Sequence, residues 1–344
     1  MLPMTRKRGS LLLWLLLFFL MFCIPFLSMG RSAVGGKGSS SAPAPTKSGS
    51  SSPAAQPVPA SAGSFRILDS VSGKTLTVDD RSFLYGGVAA EMSPDAPPEA
   101  LRAQAVACYT YYGRLREAER KSPSSELKGA DFSADLQKGE KYVSPDLMKT
   151  RWGSSYEEEY RKLTDAVSPV FGQVLKYGGE LIDSTYFAIS SGNTDNASDV
   201  WGGSCPYLVS VASPGDCFAG GYQTSAVFSA DQFKTCVLTA APKANLSGNP
   251  SSWLGPAQRT SAGMVKTISI GGQKADGPQV RAAFNLRSSD FSVSYADGKF
   301  TFLVKGYGLN VGMSQIGAEY MATQGSTYRQ ILSWYYPGTE LTSV

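Results

Sequence analysis

From Gly9 to Gly30 the chain carries no charged side chain, and Arg6, Lys7 and Arg8 stand immediately before that run. An apolar stretch of this length can cross the hydrocarbon core of a bilayer as a helix. It is longer and richer in aromatic residues than the core of a cleaved leader, and no Ala-x-Ala site follows it. It is therefore expected to be a retained single-pass anchor, with residues 1–10 as a basic cytoplasmic tail and 11–29 as the membrane helix. The basic flank sets the orientation, placing everything after it outside the cytoplasm. Residues 30–63 are dominated by Ser, Gly, Pro and Ala and cannot bury a core, so they read as a disordered linker. Extended, such a tether reaches roughly 100 Å, and as a coil roughly 30 Å. That leaves residues 64–344 as the one region able to fold as a globular domain, held at cell-wall distance from the membrane.

The charge balance shifts at the same place. Residues 1–63 hold six Lys or Arg and no acid, and the whole chain is +4, so residues 64–344 carry −2. A slightly acidic ectodomain argues against a nucleic-acid partner. Cys23 lies in the anchor, and Cys108, Cys205, Cys217 and Cys236 lie outside it. Cys205 and Cys217 are close enough in sequence to close a short disulfide loop in an oxidising exterior, while Cys108 is expected as a buried thiol.

The chain has no histidine. That excludes Ser-His-Asp and Cys-His nucleophilic catalysis and zinc hydrolases of the His-Glu-x-x-His type. Any enzyme chemistry then falls to carboxylates, tyrosines, lysines or backbone donors. Carboxylate-driven glycoside cleavage fits that restriction.

In the ectodomain, "FRILDSVSGKTLTVDDRSFLYGGVAAEM" reads as short strands broken by turns. "DAPPEALRAQAVACYTYYGRL" follows as a helix, with Leu101, Ala105, Cys108, Tyr112 and Leu115 on one apolar face and Asp95 as its expected cap. "SSYEEEYRKLTDAV" is a second helix, and "GQVLKYGGELIDSTYF" a hairpin about Gly-Gly followed by a further strand. "SSGNTDNASDVWGGSCPYL" is a long polar loop. More strands run through "VKTISIGG" and "FSVSYADGKFTFLVKGYG", and helices close the chain at "QIGAEYMATQ" and "TYRQILSWYY". Strands and helices are segregated, so the expected class is α+β with mostly antiparallel strands.

Four blocks in order, "PPEALRAQAVACYTY", "GQVLKYGGELIDSTYF", "SSGNTDNASDVWGGSCPYLVSV" and "KGYGLNVGMSQIGAEYMATQGSTYRQILSWYYPGTEL", resemble the stage II sporulation protein D family (SpoIID/LytB) over roughly residues 66–342. The resemblance implies a membrane-anchored lytic transglycosylase that cuts the bond between N-acetylmuramic acid and N-acetylglucosamine in peptide-stripped peptidoglycan strands. It implies 1,6-anhydro products and a role in engulfment during sporulation, beside the amidase SpoIIP and the membrane protein SpoIIM. The other reading is a non-catalytic glycan-binding module or amidase activator of the same fold. By the same resemblance Glu99 is the catalytic acid/base. Its location also suits a helix start, where a carboxylate complements the macrodipole by about 0.3 to 1 kcal/mol. A second carboxylate, if one takes part, would come from Asp183, Asp195 or Asp199.

For substrate binding, Tyr186 and Tyr207 either meet sugar rings or belong to the core, and Trp201 is either a sugar platform or a loop anchor. Ser190, Ser191, Gly192 and Asn193 are expected to expose backbone donors to a saccharide. Gln315 is placed in the same groove. The sequence departs from the family where Ala188 and Leu309 replace histidines and Asn310 replaces glycine. Where some members hold zinc, Leu127, Ser133, Lys138 and Gly139 stand here, so neither metal nor other cofactor is expected.

Overall fold

The computed structural model describes residues 63–344. The anchor and almost all of the linker read from the sequence lie outside the described residues. Short strands β1 (Ser64–Asp69) and β2 (Thr75–Asp79) lead into helix α1 (Asp80–Glu91) and then into the long helix α2 (Pro98–Lys121). Half of the 24 residues of α2 are buried, in an unbroken run from Ala103 to Thr110 together with Ala100, Leu101, Tyr112 and Gly113. A helix buried on every side over two turns must be covered on every side there. It is covered by α1, by later helices and by a sheet.

After β3 (Phe132–Ala134), helices α3 (Pro145–Trp152) and α4 (Tyr156–Val167) lead to the hairpin β4 (Gln173–Tyr177) and β5 (Glu180–Leu181). Gly178 and Gly179 both have positive φ, the two-residue turn whose twist suits a tight hairpin. Strand β6 (Tyr186–Phe187), the short helix α5 (Ala197–Val200) and a long irregular stretch follow.

Then comes a second unit of β7 (Gln223–Ser229), α6 (Ala230–Ala240), β8 (Leu254–Arg259), β9 (Val265–Ile270), β10 (Gln273–Asp276), α7 (Gly277–Ala283), β11 (Asp290–Ala296) and β12 (Lys299–Lys305). It has its own core around Phe233, Trp253, Phe300 and Phe302. The chain returns through β13 (Met313–Ser314), α8 (Gln315–Thr323), α9 (Tyr328–Tyr335) and β14 (Glu340–Ser343).

The sheets are small: β2-β1-β3, β14-β4-β5, β13-β6, β11-β12-β7 and β10-β9-β8. Pairing is antiparallel except between β1 and β3 and between β6 and β13, so the α+β expectation with mostly antiparallel strands holds. The second core, separate from that around α2, was not foreseen.

Three local expectations are corrected. Residues 80–91 form a helix, not a strand. Asp79 caps it, its carboxylate accepting from the amides of Arg81 and Ser82 at 3.1 and 2.9 Å, and Phe83, Leu84, Gly87 and Val88 are buried on it. Asp95 does not cap α2, which begins behind Pro97 without a side-chain cap; Asp95 instead pairs with Lys162 at 2.6 Å. Cys205 and Cys217 are both free thiols rather than a disulfide, and Cys108 is buried as expected.

Candidate active site

Glu91 ends α1, and Glu99 sits in the first turn of α2. The two carboxyls meet different surroundings. One oxygen of Glu99 accepts from the Arg102 guanidinium and the other from the Tyr328 amide at 2.6 Å, at the first residue of α9. Arg102 in turn donates to the carbonyl of Ala166 at 3.2 Å. Glu99 thus ties the start of α2 to the start of α9 and the end of α4.

Glu91 keeps partial solvent access, yet its carboxyl is crowded by protein. Its hydrogen-bond partner among the described residues is the Gln315 side-chain amide, at 3.4 Å. Burial pushes its pKa up, against weaker opposing pulls from Gln315 and the Lys141 ammonium. The same Gln315 nitrogen lies 3.5 Å from the Gln104 side-chain oxygen. Gln104 is fully buried, and its own amide nitrogen has no partner among the described residues. Cys108, Tyr112 and Tyr186 complete the surroundings. Burial raises all three pKa values, and the negative charge of Glu91 adds to each. A carboxyl in this setting, wetted at one side and poorly solvated elsewhere, is held toward its protonated form.

Of the residues expected from the sequence, Tyr186 and Gln315 come together here with Glu91. Tyr186 is carried on β6, which pairs in parallel with β13, and Gln315 opens α8 directly behind β13.

The Ser190 loop is different, and the expectation of free backbone donors is corrected. Asp216 is fully buried and takes the Ser190 amide at 2.9 Å and its hydroxyl at 2.8 Å. It also accepts from the hydroxyls of Ser213 and Ser314. The Ser191 amide goes to the Asn310 side-chain oxygen at 3.3 Å, and the Gly192 amide to the Ser190 hydroxyl at 3.1 Å. The Asn193 carbonyl accepts from Asn310 at 2.9 Å. The amides of Ser190, Ser191 and Gly192 are thus spent inside the protein. Asn310 has φ +67°, a conformation asparagine tolerates better than most residues, so it can stand where the family carries glycine while its side chain braces the loop.

Tyr207 and Trp201 are not in the Glu91 group. Tyr207 accepts from the Asp183 amide at 3.2 Å and packs against Tyr177. Trp201 is half exposed just beyond α5. Asp183 pairs with Arg114 at 3.7 Å, and Asp199 with Lys266 at 3.1 Å. Asp195 is fully buried on Asn310, its pKa raised by that burial. Among the described residues, no three His, Cys, Asp or Glu side chains gather as a metal-holding group.

Sequence reasoning passed over Glu91. Its main partner lies 224 residues away in the chain, so no local spacing marks it. The available signal was a lone acid closing the apolar run "LYGGVAAEM".

A family model described as stage II sporulation protein matches residues 72–177, the segment that holds both Glu91 and Glu99. Stage II sporulation protein D of Bacillus amyloliquefaciens is 36% identical over 260 residues, covering 76% of this chain and 73% of that protein. Its counterpart in Bacillus subtilis is 34% identical, with the same coverage of both chains. The amidase enhancer of Bacillus subtilis is 29% identical across 76% of this chain and 40% of its own length. With this identity across this share of both proteins, the chain belongs to the stage II sporulation protein D family.

Proposed function

We propose that the protein is a cell-wall glycan lyase of sporulation, a lytic transglycosylase acting on peptide-stripped peptidoglycan strands, with Glu91 as its acid/base. Family membership supports the cell-wall and sporulation setting. The observation that carries the catalytic reading is the partly accessible Glu91 carboxyl, its pKa raised by burial and its one side-chain amide partner at 3.4 Å.

Protonated Glu91 gives its proton to the oxygen linking N-acetylmuramic acid to N-acetylglucosamine. The bond from the muramic C1 to that oxygen breaks, and the leaving sugar departs with a free hydroxyl. The carboxylate then takes the proton of the muramic 6-hydroxyl, whose oxygen bonds to C1 and closes the 1,6-anhydro ring. No water is consumed, and Glu91 ends protonated, as it began. One carboxyl serves both steps, whereas hydrolysis ordinarily uses two. Tyr186 and Gln315 would orient the sugar and the acid. Glu99, which the resemblance put forward for this task, is occupied in joining helices.

The test incubates the full-length chain in mild detergent with peptide-free glycan strands and reads 1,6-anhydro termini by mass spectrometry. Wild type and Glu99→Gln should both cleave, while Glu91→Gln should lose at least about 100-fold. Cleavage by Glu91→Gln with none by Glu99→Gln would return the role to Glu99. Retention of glycan by every form with no cleavage would make the protein a binding module.

A further inference from the structure

The β4–β5 hairpin overhangs the C-terminal half of α2, and an open cavity of about 460 Å³ lies between them, within the usual size of ligand sites. Its polar lining is Arg114, Glu117, Lys121, Glu180, Tyr177 and Tyr207. The two tyrosine rings stand 5.5 Å apart at 48°, and the Asp183 amide pins the Tyr207 hydroxyl. All four charged side chains are exposed. Among the described residues, the one ion pair any of them makes is that of Arg114 with Asp183, at 3.7 Å. The cavity therefore offers charges that the fold has not neutralised.

Packed tyrosines lie between the cavity's side of α2 and the Glu91 group. Tyr112 and Tyr186 both feel the charge of Glu91. The Tyr111 ring packs against both, at 5.2 and 6.4 Å, and Tyr111 feels the charges of Asp183 and Arg114. From Cys108 to Arg114 and Lys121 the rise along α2 is about 9 to 20 Å, a span suited to a strand of linked sugars.

We infer that this cavity is a distal saccharide subsite taking a carboxylate-bearing sugar ring of the same strand. The ring lies against Tyr177 and Tyr207, and its carboxylate meets Arg114 and Lys121. Those two cations lie seven residues apart on one side of α2, with the small Ala118 between their turns. Glu117 and Glu180 accept from sugar hydroxyls, since an ionised carboxylate can only accept. A muramic acid unit stripped of its peptide presents such a carboxylate next to its ring. The inference rests on the glycan-cleaving reading and extends it to the chemical form of the preferred strand.

The test measures retention by the full-length chain of two probes: peptide-free muramic-acid glycan strands, and the same strands with the lactyl carboxylate converted to an amide. Wild type should hold the carboxylate strands about tenfold tighter, with a margin that shrinks as salt rises. The double variant Arg114→Gln, Lys121→Gln should bind both probes alike, at the affinity wild type shows for the amide form. That unchanged affinity also reports that the variant is folded. Equal retention of the two probes by wild type would overturn this inference while leaving the glycan reading in place. A variant that keeps the carboxylate preference would do the same. Retention of neither probe by wild type would sink both.

Discussion

At Glu91 the carboxyl is raised by burial, and a raised folded-state pKa has a consequence for stability that can be read without any substrate. The folded protein binds this proton more tightly than the unfolded chain does. Stability from this group is therefore present at low pH and is lost as pH rises through the folded pKa. Above that pKa a negative charge sits where it is poorly solvated, which is a local cost to stability. Glu91→Gln keeps the shape and removes the charge. It should raise Tm by about 2 °C at pH values above the folded pKa, and the gap should close as the pH falls below it. A variant melting at or below wild type throughout, followed by scanning fluorimetry across pH, would contradict the burial argument. Glu99→Gln should show no such gain, because it exchanges a partly exposed ion pair worth about 0.5 kcal/mol for a neutral amide. The resemblance puts Glu99 forward, and its local spacing alone marks it as a helix-start acid. Pro97, Pro98 and the helix start are adjacent, whereas Glu91 acquires meaning only when Gln315 arrives on α8.

Helix α1 shows how element-level reading succeeds and fails. The β4–β5 hairpin and α2 are legible because a Gly-Gly turn marks the first and an apolar face of helical period the second. Residues 80–91 belong to a tract that reads as short strands broken by turns, and Gly86 and Gly87 do not suggest a helix. The structure gives a reason for them: a methyl group at Gly86 would sit 2.3 Å from the Tyr142 ring and 2.6 Å from the Val143 carbonyl. One at Gly87 would sit 2.9 Å from the Cys108 sulfur. The glycines are contact surfaces within a helix, and that information lies in the partners, which no local window contains. Gly86→Ala sets two effects against each other. Helix propensity gains about 1 kcal/mol, while overpacking against a ring and a fixed carbonyl costs typically 1–3 kcal/mol. The carbonyl belongs to backbone and cannot swing away, so overpacking wins and the variant should be less stable by about 1 kcal/mol in urea denaturation. A stabilised variant would mean that Tyr142 and Val143 are free to move.

Over the whole molecule, two separate apolar cores lie within residues 64–344. One surrounds α2, and the other fills the unit of residues 223–305. The chain leaves the α2 unit after the Ser190 loop and returns at β13, so the Glu91 group is assembled from segments on both sides of the second unit. That arrangement kept the group illegible in sequence, since Tyr186 and Gln315 are brought together across the whole second unit. It also predicts how the molecule opens. Phe233 is fully buried, its ring stacked 3.7 Å from Phe300 and packed near Trp253 and Phe302. Phe233→Ala removes the centre of the second core and should destabilise that unit by about 3–5 kcal/mol. Where cores are separate, such damage lowers local protection before it reaches the rest. Hydrogen exchange should therefore quicken through residues 223–305 while the amides of α2 and β4 keep their wild-type protection. Uniform acceleration in both units would mean that they unfold as one. In that case the second unit would be a structural support of the Glu91 group rather than a separable addition to it.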